Sequence, residues 1–193
     1  GDVVAHGFWA QDEALRERLL AISLAKGIKF RFRSETTRIE TTEEGGRRLH
    51  FAEGDPLETD IAMFAIGRLP NTGGLGCAAA GIDLDNMGAV MVDAECRSSV
   101  ENIYAVGDVI TRVQLPPVAI REGQAVADML FAGTPMALDY NCIPSAVFSH
   151  PPLASVGMTE REAHERLGTV SVYSSDFRPM KNVLAGRTER SLF

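Results

Sequence analysis

The 193-residue sequence predicts an α/β fold, and three features of it do so. "IAMFAIG", residues 61 to 67, is almost wholly apolar, which is how a parallel strand covered on both faces reads. Two stretches, 12–26 and 117–133, carry apolar residues at helical spacing. Between and after them run short alternating segments bounded by glycine, proline and asparagine, the pattern of strands and turns.

Each element has its own signal. From Asp12 to Lys26, Leu15, Leu19 and Ile22 recur on one helical face, with Leu20 and Leu24 widening it. Asp12 can cap the start, and Gly27 stands where a left-handed stop belongs. "GIKFRF" then alternates as a strand. Thr36 to Glu40 and Arg47 to Phe51 read as a hairpin around "EEGG". After the apolar run, "RLPNTGGLG" is a loop. "GAVMVD" (88–93) and "NIYAVGD" (102–108) read as two further strands. A helix follows with Pro117 at its first position, carrying Val118, Ile120, Ala125 and Met129 up to Gly133. Beyond "DYNCIP" the character changes. "AVFS" is a short strand, Thr159 with Glu162 forms a capping box, and "VSVYSSDF" alternates again. The abrupt "GDVVAHGF" and the final "RSLF", which reads as the start of a strand, suggest a piece of a longer chain. There is no internal repeat.

Composition narrows the function classes. The chain is 45% apolar and 23% charged, ordinary for a folded domain, and its net charge of −7 disfavours a nucleic-acid partner. No apolar run approaches the ~20 residues of a membrane span and no signal segment opens the chain, so the cytosol is the default compartment. Cys77, Cys96 and Cys142 lie far apart, without metal-ligand or C-x-x-C spacing, and the four histidines are equally scattered. Idle thiols and no metal site are the expectation.

Few segments carry chemistry. "GLGCAA", Gly74 to Ala79, matches a dinucleotide fingerprint, but a Pro-Asn-Thr loop precedes it where a strand should, so it reads as a plain loop. Gly107-Asp108 is better placed, at the carboxyl end of an apolar strand, where ligands of open α/β sheets bind. Glycine admits close approach, and an ionised carboxylate, acceptor only, suits a polyhydroxyl chain. A turn aspartate bonded to its own backbone remains the other reading. The helix beginning some eight residues later would turn the positive end of its dipole to the same crevice. Gly67 ends the apolar run, and Arg68 stands free to meet a phosphate or ribose, or simply water.

Taken in order, "AIGRLPNT", "IYAVGDV", "LPPVAIREGQAVAD" and "IPSAVFSHPPLASVGMTEREA" resemble the flavoprotein disulfide reductase family. The tail "SSDFRPMKNVLAGRTERSLF" is similar to members that reduce glutathione disulfide. The resemblance implies part of a two-dinucleotide-binding-domain flavoprotein followed by the start of an α+β dimer interface domain. Residues 1–70 would be the second half of the NADPH domain, 71–140 a central FAD-contacting segment, and 141–193 the opening of the interface domain. It implies FAD and NADPH as cofactors, glutathione disulfide as substrate and a homodimer as assembly, with dihydrolipoyl or mercuric reduction, or a non-catalytic module, as alternatives. The family's redox cysteines, glycine fingerprints and catalytic histidine match nothing in these residues, so the chain by itself should not turn over.

Carried over by position, Asp108 resembles the ligand of the FAD sugar-alcohol chain, with Gly107 giving it room. Pro116 falls where the family usually meets the flavin with threonine, and offers neither hydroxyl nor N–H. Gly67 and Arg68 resemble the NADPH-side contact, and Gln114 and Ala146 fall where the family lines the nicotinamide path. Gln124 stands where some members place an arginine on glutathione. His6 stands where an arginine grips the 2′-phosphate of NADPH, for which imidazole is a poorer partner.

Overall fold

The computed structural model describes residues 2–5, 12–136 and 138–193. They fall into two compact units, one of residues 1–66 and 144–193, the other of residues 67–143.

In the first unit, strand β1 (Asp2–Ala5) pairs in parallel with β2 (Lys29–Phe32) across helix α1 (Glu13–Ala25). That connection is a βαβ unit. Asp12 Oδ1 accepts the Ala14 N–H at 3.0 Å, opening α1, and Gly27 at φ +85° ends it. Leu19 is buried on its inner face. β3 (Thr36–Thr41), β4 (Arg47–Phe51) and β5 (Leu57–Thr59) form an antiparallel sheet with β4 central, burying Leu49 and Phe51. The hairpin is where the sequence put it; β5 adds a third strand.

The rest of this unit is built from small pieces. β6 (Ser145–Val147) pairs with β7 (Leu153–Ser155), and β8 (Asp176–Phe177) with β9 (Ser191–Leu192). Helix α4 (Glu160–Leu167) has the full capping box: Glu162 N–H donates to Thr159 Oγ1 at 3.3 Å, and Glu162 Oε2 accepts the Thr159 N–H at 2.9 Å. Thr159→Ala should therefore cost about 1 kcal/mol, read as a shift in the urea midpoint. Asp12 Oδ2 accepts the Glu160 N–H at 3.2 Å, so one carboxylate serves the start of both α1 and α4. Asp176 takes Arg18 at 2.6 Å and Arg190 at 2.7 Å, and these two guanidinium groups, hydrogen-bonded to its carboxyl, hold it below the ordinary aspartate range.

The second unit holds helix α2 (Cys77–Ala80), helix α3 (Pro116–Ala132) and a 3-10 turn over Gly107–Ile110. Its core is Val90, Cys96 and Ile110, flanked by Ile82, Val92, Val106, Val109, Val126 and Met136.

Four expectations change here. The 61–67 run is not a strand, and Ile61, Met63 and Ile66 are more than four-fifths exposed. Suitability for a covered strand is a property of side chains, but a strand exists only with a hydrogen-bonded neighbour, and none of the described residues supplies one. For the same reason "GAVMVD" and "NIYAVGD" contribute isolated bridges, Leu84 to Val90 and Arg97 to Tyr104, and no ladder. Of "VSVYSSDF", only Asp176 and Phe177 pair. α3 starts one residue earlier than the sequence suggests, with Pro116 and Pro117 filling its first two positions. Among the described residues no helix is long and apolar enough to cross a membrane.

Candidate functional site

The site grows from the junction of the 3-10 turn with α3. Gly107 is buried at φ +75°, and a Cβ there would stand 2.9 Å from the Ala119 Cβ. The close approach that demands glycine is that of a helix. The turn thus presses on α3 and delivers the next residue, Asp108, at its rim. The Asp108 side chain is about half exposed, and its Oδ2 accepts from Arg68 Nη1 at 2.9 Å. An exposed pair of this kind is worth about 0–1 kcal/mol, enough to bias the carboxylate without locking it against another donor.

Arg68 also lines a cavity of about 400 Å³ with Leu69, Pro70, Met87, Thr111, Arg112 and Gln114. Thr111 sits at φ +52°, a backbone state that costs a β-branched residue roughly 1–2 kcal/mol. "GLGCAA" leads into the four-residue α2, with no strand directly before it.

Behind the turn lies a buried polar network that sequence reasoning missed. Glu122, on α3, is 1% exposed. Its Oε2 accepts the Gly107 N–H at 2.6 Å, and its Oε1 accepts the Tyr140 hydroxyl at 2.8 Å. Arg112 donates to the Tyr140 oxygen at 3.4 Å, to the Val92 carbonyl at 3.4 Å and to the Asp93 carbonyl, and lies 3.6 Å from Cys96 Sγ. Burial pushes the Tyr140 hydroxyl up, with Arg112 opposing. Burial likewise pushes the Cys96 thiol up, away from a reactive thiolate. A signal for Glu122 was present: Val118, Glu122, Ala125 and Met129 share one helical face, so the glutamate interrupts an apolar stripe.

The sequence-predicted residues separate accordingly. Gly67, Arg68, Gly107, Asp108, Gln114, Pro116 and Gln124 all belong to the second unit, where Arg68 and Gln114 line the cavity and Asp108 pairs with Arg68. Gly67 is exposed at φ +137°. Pro116 is exposed at the start of α3; with Pro117 it removes two N–H groups from that terminus, while the Val118 N–H goes to the Leu115 carbonyl at 3.0 Å. Any favour shown there to an anion comes from the helix dipole and not from these amides. The Gln124 amide is turned along the helix to Asp128 Oδ1 at 2.7 Å. Ala146 is exposed on β6, in the first unit, and His6 lies outside the described residues. All three cysteines are free, Cys77 and Cys96 buried and Cys142 exposed. Among the described residues no cluster of His, Cys, Asp or Glu could hold a metal ion.

Comparison with known proteins gives the setting of this site. Residues 5–123 match the model of the pyridine nucleotide-disulphide oxidoreductases, and residues 143–193 match that family's dimerisation domain. The chain is 43% identical over its whole length to a glutathione reductase of Burkholderia cepacia, of which it covers 42%. It is 41% identical to a trypanothione reductase of Trypanosoma congolense, with 91% of this chain and 36% of that protein aligned. A chloroplastic/mitochondrial glutathione reductase of Pisum sativum is also 41% identical over 85% of this chain and 30% of its own. The chain thus spans less than half the length of these curated relatives. In fold it is similar to the HOCl-induced flavoprotein disulfide reductase RclA from Escherichia coli, with a TM-score of 0.86 at 23% identity over 99% of this chain and 45% of that one. The cofactors of the family are FAD and NADPH. The two family models, covering nearly all of the sequence from residue 5 onward, place this chain in the pyridine nucleotide-disulphide oxidoreductase family.

Proposed function

We propose that the full-length protein is a flavoprotein reductase of glutathione disulfide that draws its electrons from NADPH. The observation that carries this is Asp108: a half-exposed carboxylate, set on a turn tied to α3 and joined through Arg68 to a cavity of about 400 Å³. That donor set fits FAD. Asp108 offers acceptors to the hydroxyls of its sugar-alcohol chain, and Leu69, Pro70 and Met87 apolar wall to a ring. The chemistry FAD supplies when bound is hydride relay between NADPH and a disulfide.

The domain reading follows: residues 1–70 as part of the NADPH domain, 71–140 as the central flavin-contacting segment, and 141–193 as the start of the interface domain. Gly67, Arg68 and His6 would serve NADPH, and Gln114 and Ala146 the nicotinamide path. Gln124 would face glutathione, and Pro116 would border the flavin without donating to it. The match of residues 143–193 to a dimerisation domain supports a homodimer, as do Tyr173 at 90% and Leu184 at 84% exposure. In sedimentation the full-length protein should run at twice its chain mass at micromolar concentration; a dilution-stable monomer would contradict this.

Trypanothione disulfide is the competing substrate, since trypanothione reductases align at 41% identity. Rates of NADPH oxidation with each disulfide separate the two. The proposal requires the larger kcat/KM with glutathione disulfide, together with a flavin absorbance band in the purified protein. Absence of that band, or a preference for trypanothione disulfide, would overturn it.

A further inference from the structure

Among the described residues Glu122 is the largest fully buried side chain, and it stands on α3 in helical line with the apolar Val118, Ala125 and Met129. A carboxylate is tolerated in such a place only when its oxygens are occupied. Both are, by the Gly107 N–H at 2.6 Å and the Tyr140 hydroxyl at 2.8 Å. The Gly107 amide opens the 3-10 turn, and Asp108 is the next residue along it. A Cβ on Gly107 would stand 2.9 Å from that of Ala119, one helical turn before Glu122 on the same helix, so no side chain fits between turn and helix. One hydrogen bond and one steric stop, both from α3, therefore set the direction in which the chain leaves Gly107.

We infer that Glu122 is a positioning residue for flavin binding: through the Gly107 amide it fixes the aim of the Asp108 carboxylate at the sugar-alcohol chain of FAD. The inference rests on the role proposed above for Asp108. Glu122 itself touches no cofactor. The Tyr140 hydroxyl, which itself accepts from Arg112, occupies the other oxygen of the carboxylate.

The test is a double-mutant cycle in the full-length protein, with FAD dissociation constants measured by titrating apoprotein and following flavin fluorescence. Glu122→Gln keeps the shape and lets the amide carbonyl accept from Gly107 while the NH₂ group faces Tyr140. It replaces a charge-assisted bond with a neutral one, so FAD should bind about three- to tenfold more weakly. In the Asp108→Ala background the same change should have no further effect, because Glu122 acts only through Asp108. Tyr140→Phe, which leaves the Gly107 bond in place, should lower the thermal midpoint while FAD affinity changes less than about twofold. Should Glu122→Gln fail to accumulate, Glu122→Asp, which keeps the charge but withdraws it by one methylene, takes its place in the cycle with the same expectation.

If Asp108→Ala weakens FAD binding but Glu122→Gln does not, or does so equally in both backgrounds, the positioning role is overturned while the reading of Asp108 stands. Tyr140→Phe weakening FAD as much as Glu122→Gln would likewise overturn it, tracing the effect to general loosening. If Asp108→Ala leaves FAD affinity unchanged, the reading of Asp108 falls and the inference with it.

Discussion

Asp108→Ala in the full-length protein is expected to weaken FAD binding about ten- to a hundredfold. The substitution removes a charged acceptor from sugar hydroxyls that would stay enclosed without a partner, a loss of roughly 1.5–3 kcal/mol. The ion pair with Arg68 contributes little against this. Its side chains are 68% and 44% exposed, so parting them costs about 0–1 kcal/mol. Asp108→Asn should cost less, because its carbonyl still accepts. A turn residue without a ligand would behave differently, with both variants shifting stability alone. Flavin content after dialysis separates the cases: equal content in wild type and Asp108→Ala would sink the flavin role.

The second large effect is on stability. Gly107→Ala should destabilise the protein by about 2–5 kcal/mol, the sum of two independent costs. A φ of +75° costs an L-residue roughly 1–2 kcal/mol. A Cβ placed 2.9 Å from the Ala119 Cβ must push the turn off α3, an overpacking cost of about 1–3 kcal/mol. Only the second cost can be relieved from across the contact. Adding Ala119→Gly to Gly107→Ala should therefore recover part of the loss, although the glycine alone costs the helix about 1 kcal/mol. Urea unfolding of the four proteins measures this. An unchanged midpoint for Gly107→Ala would show that the turn is free to move from α3, and the mutual support of turn and helix would be wrong.

What local chemistry determines could be read directly. Asp12, Gly27, the Thr159–Glu162 box and the "EEGG" hairpin act within a few residues of themselves, so sequence spacing sufficed to locate them. The family was legible for a related reason: the order of short motifs from "AIGRLPNT" to "IPSAVFSHPPL" is linear information that needs no fold. Asp108 could be picked out as an acidic residue ending an apolar run, although its pairing with Arg68, forty residues earlier, could not.

Contacts made at a distance were left to the tertiary structure. The run 61–67 has strand-like side chains, but its backbone finds no ladder partner among the described residues, and a strand is a relation between two segments. Gly107 looked like room for a ligand in the sequence; in the fold it is room for Ala119. Glu122 looked like one more charge in "AIREGQAV", until packing buried it and gave its two oxygens to Gly107 and Tyr140. The sequence by itself determined the family and the caps, and it marked Asp108 as the acidic residue that ends an apolar run. Only the tertiary structure decided which helix holds that residue in place, because burial and hydrogen-bond partners exist only once distant segments meet.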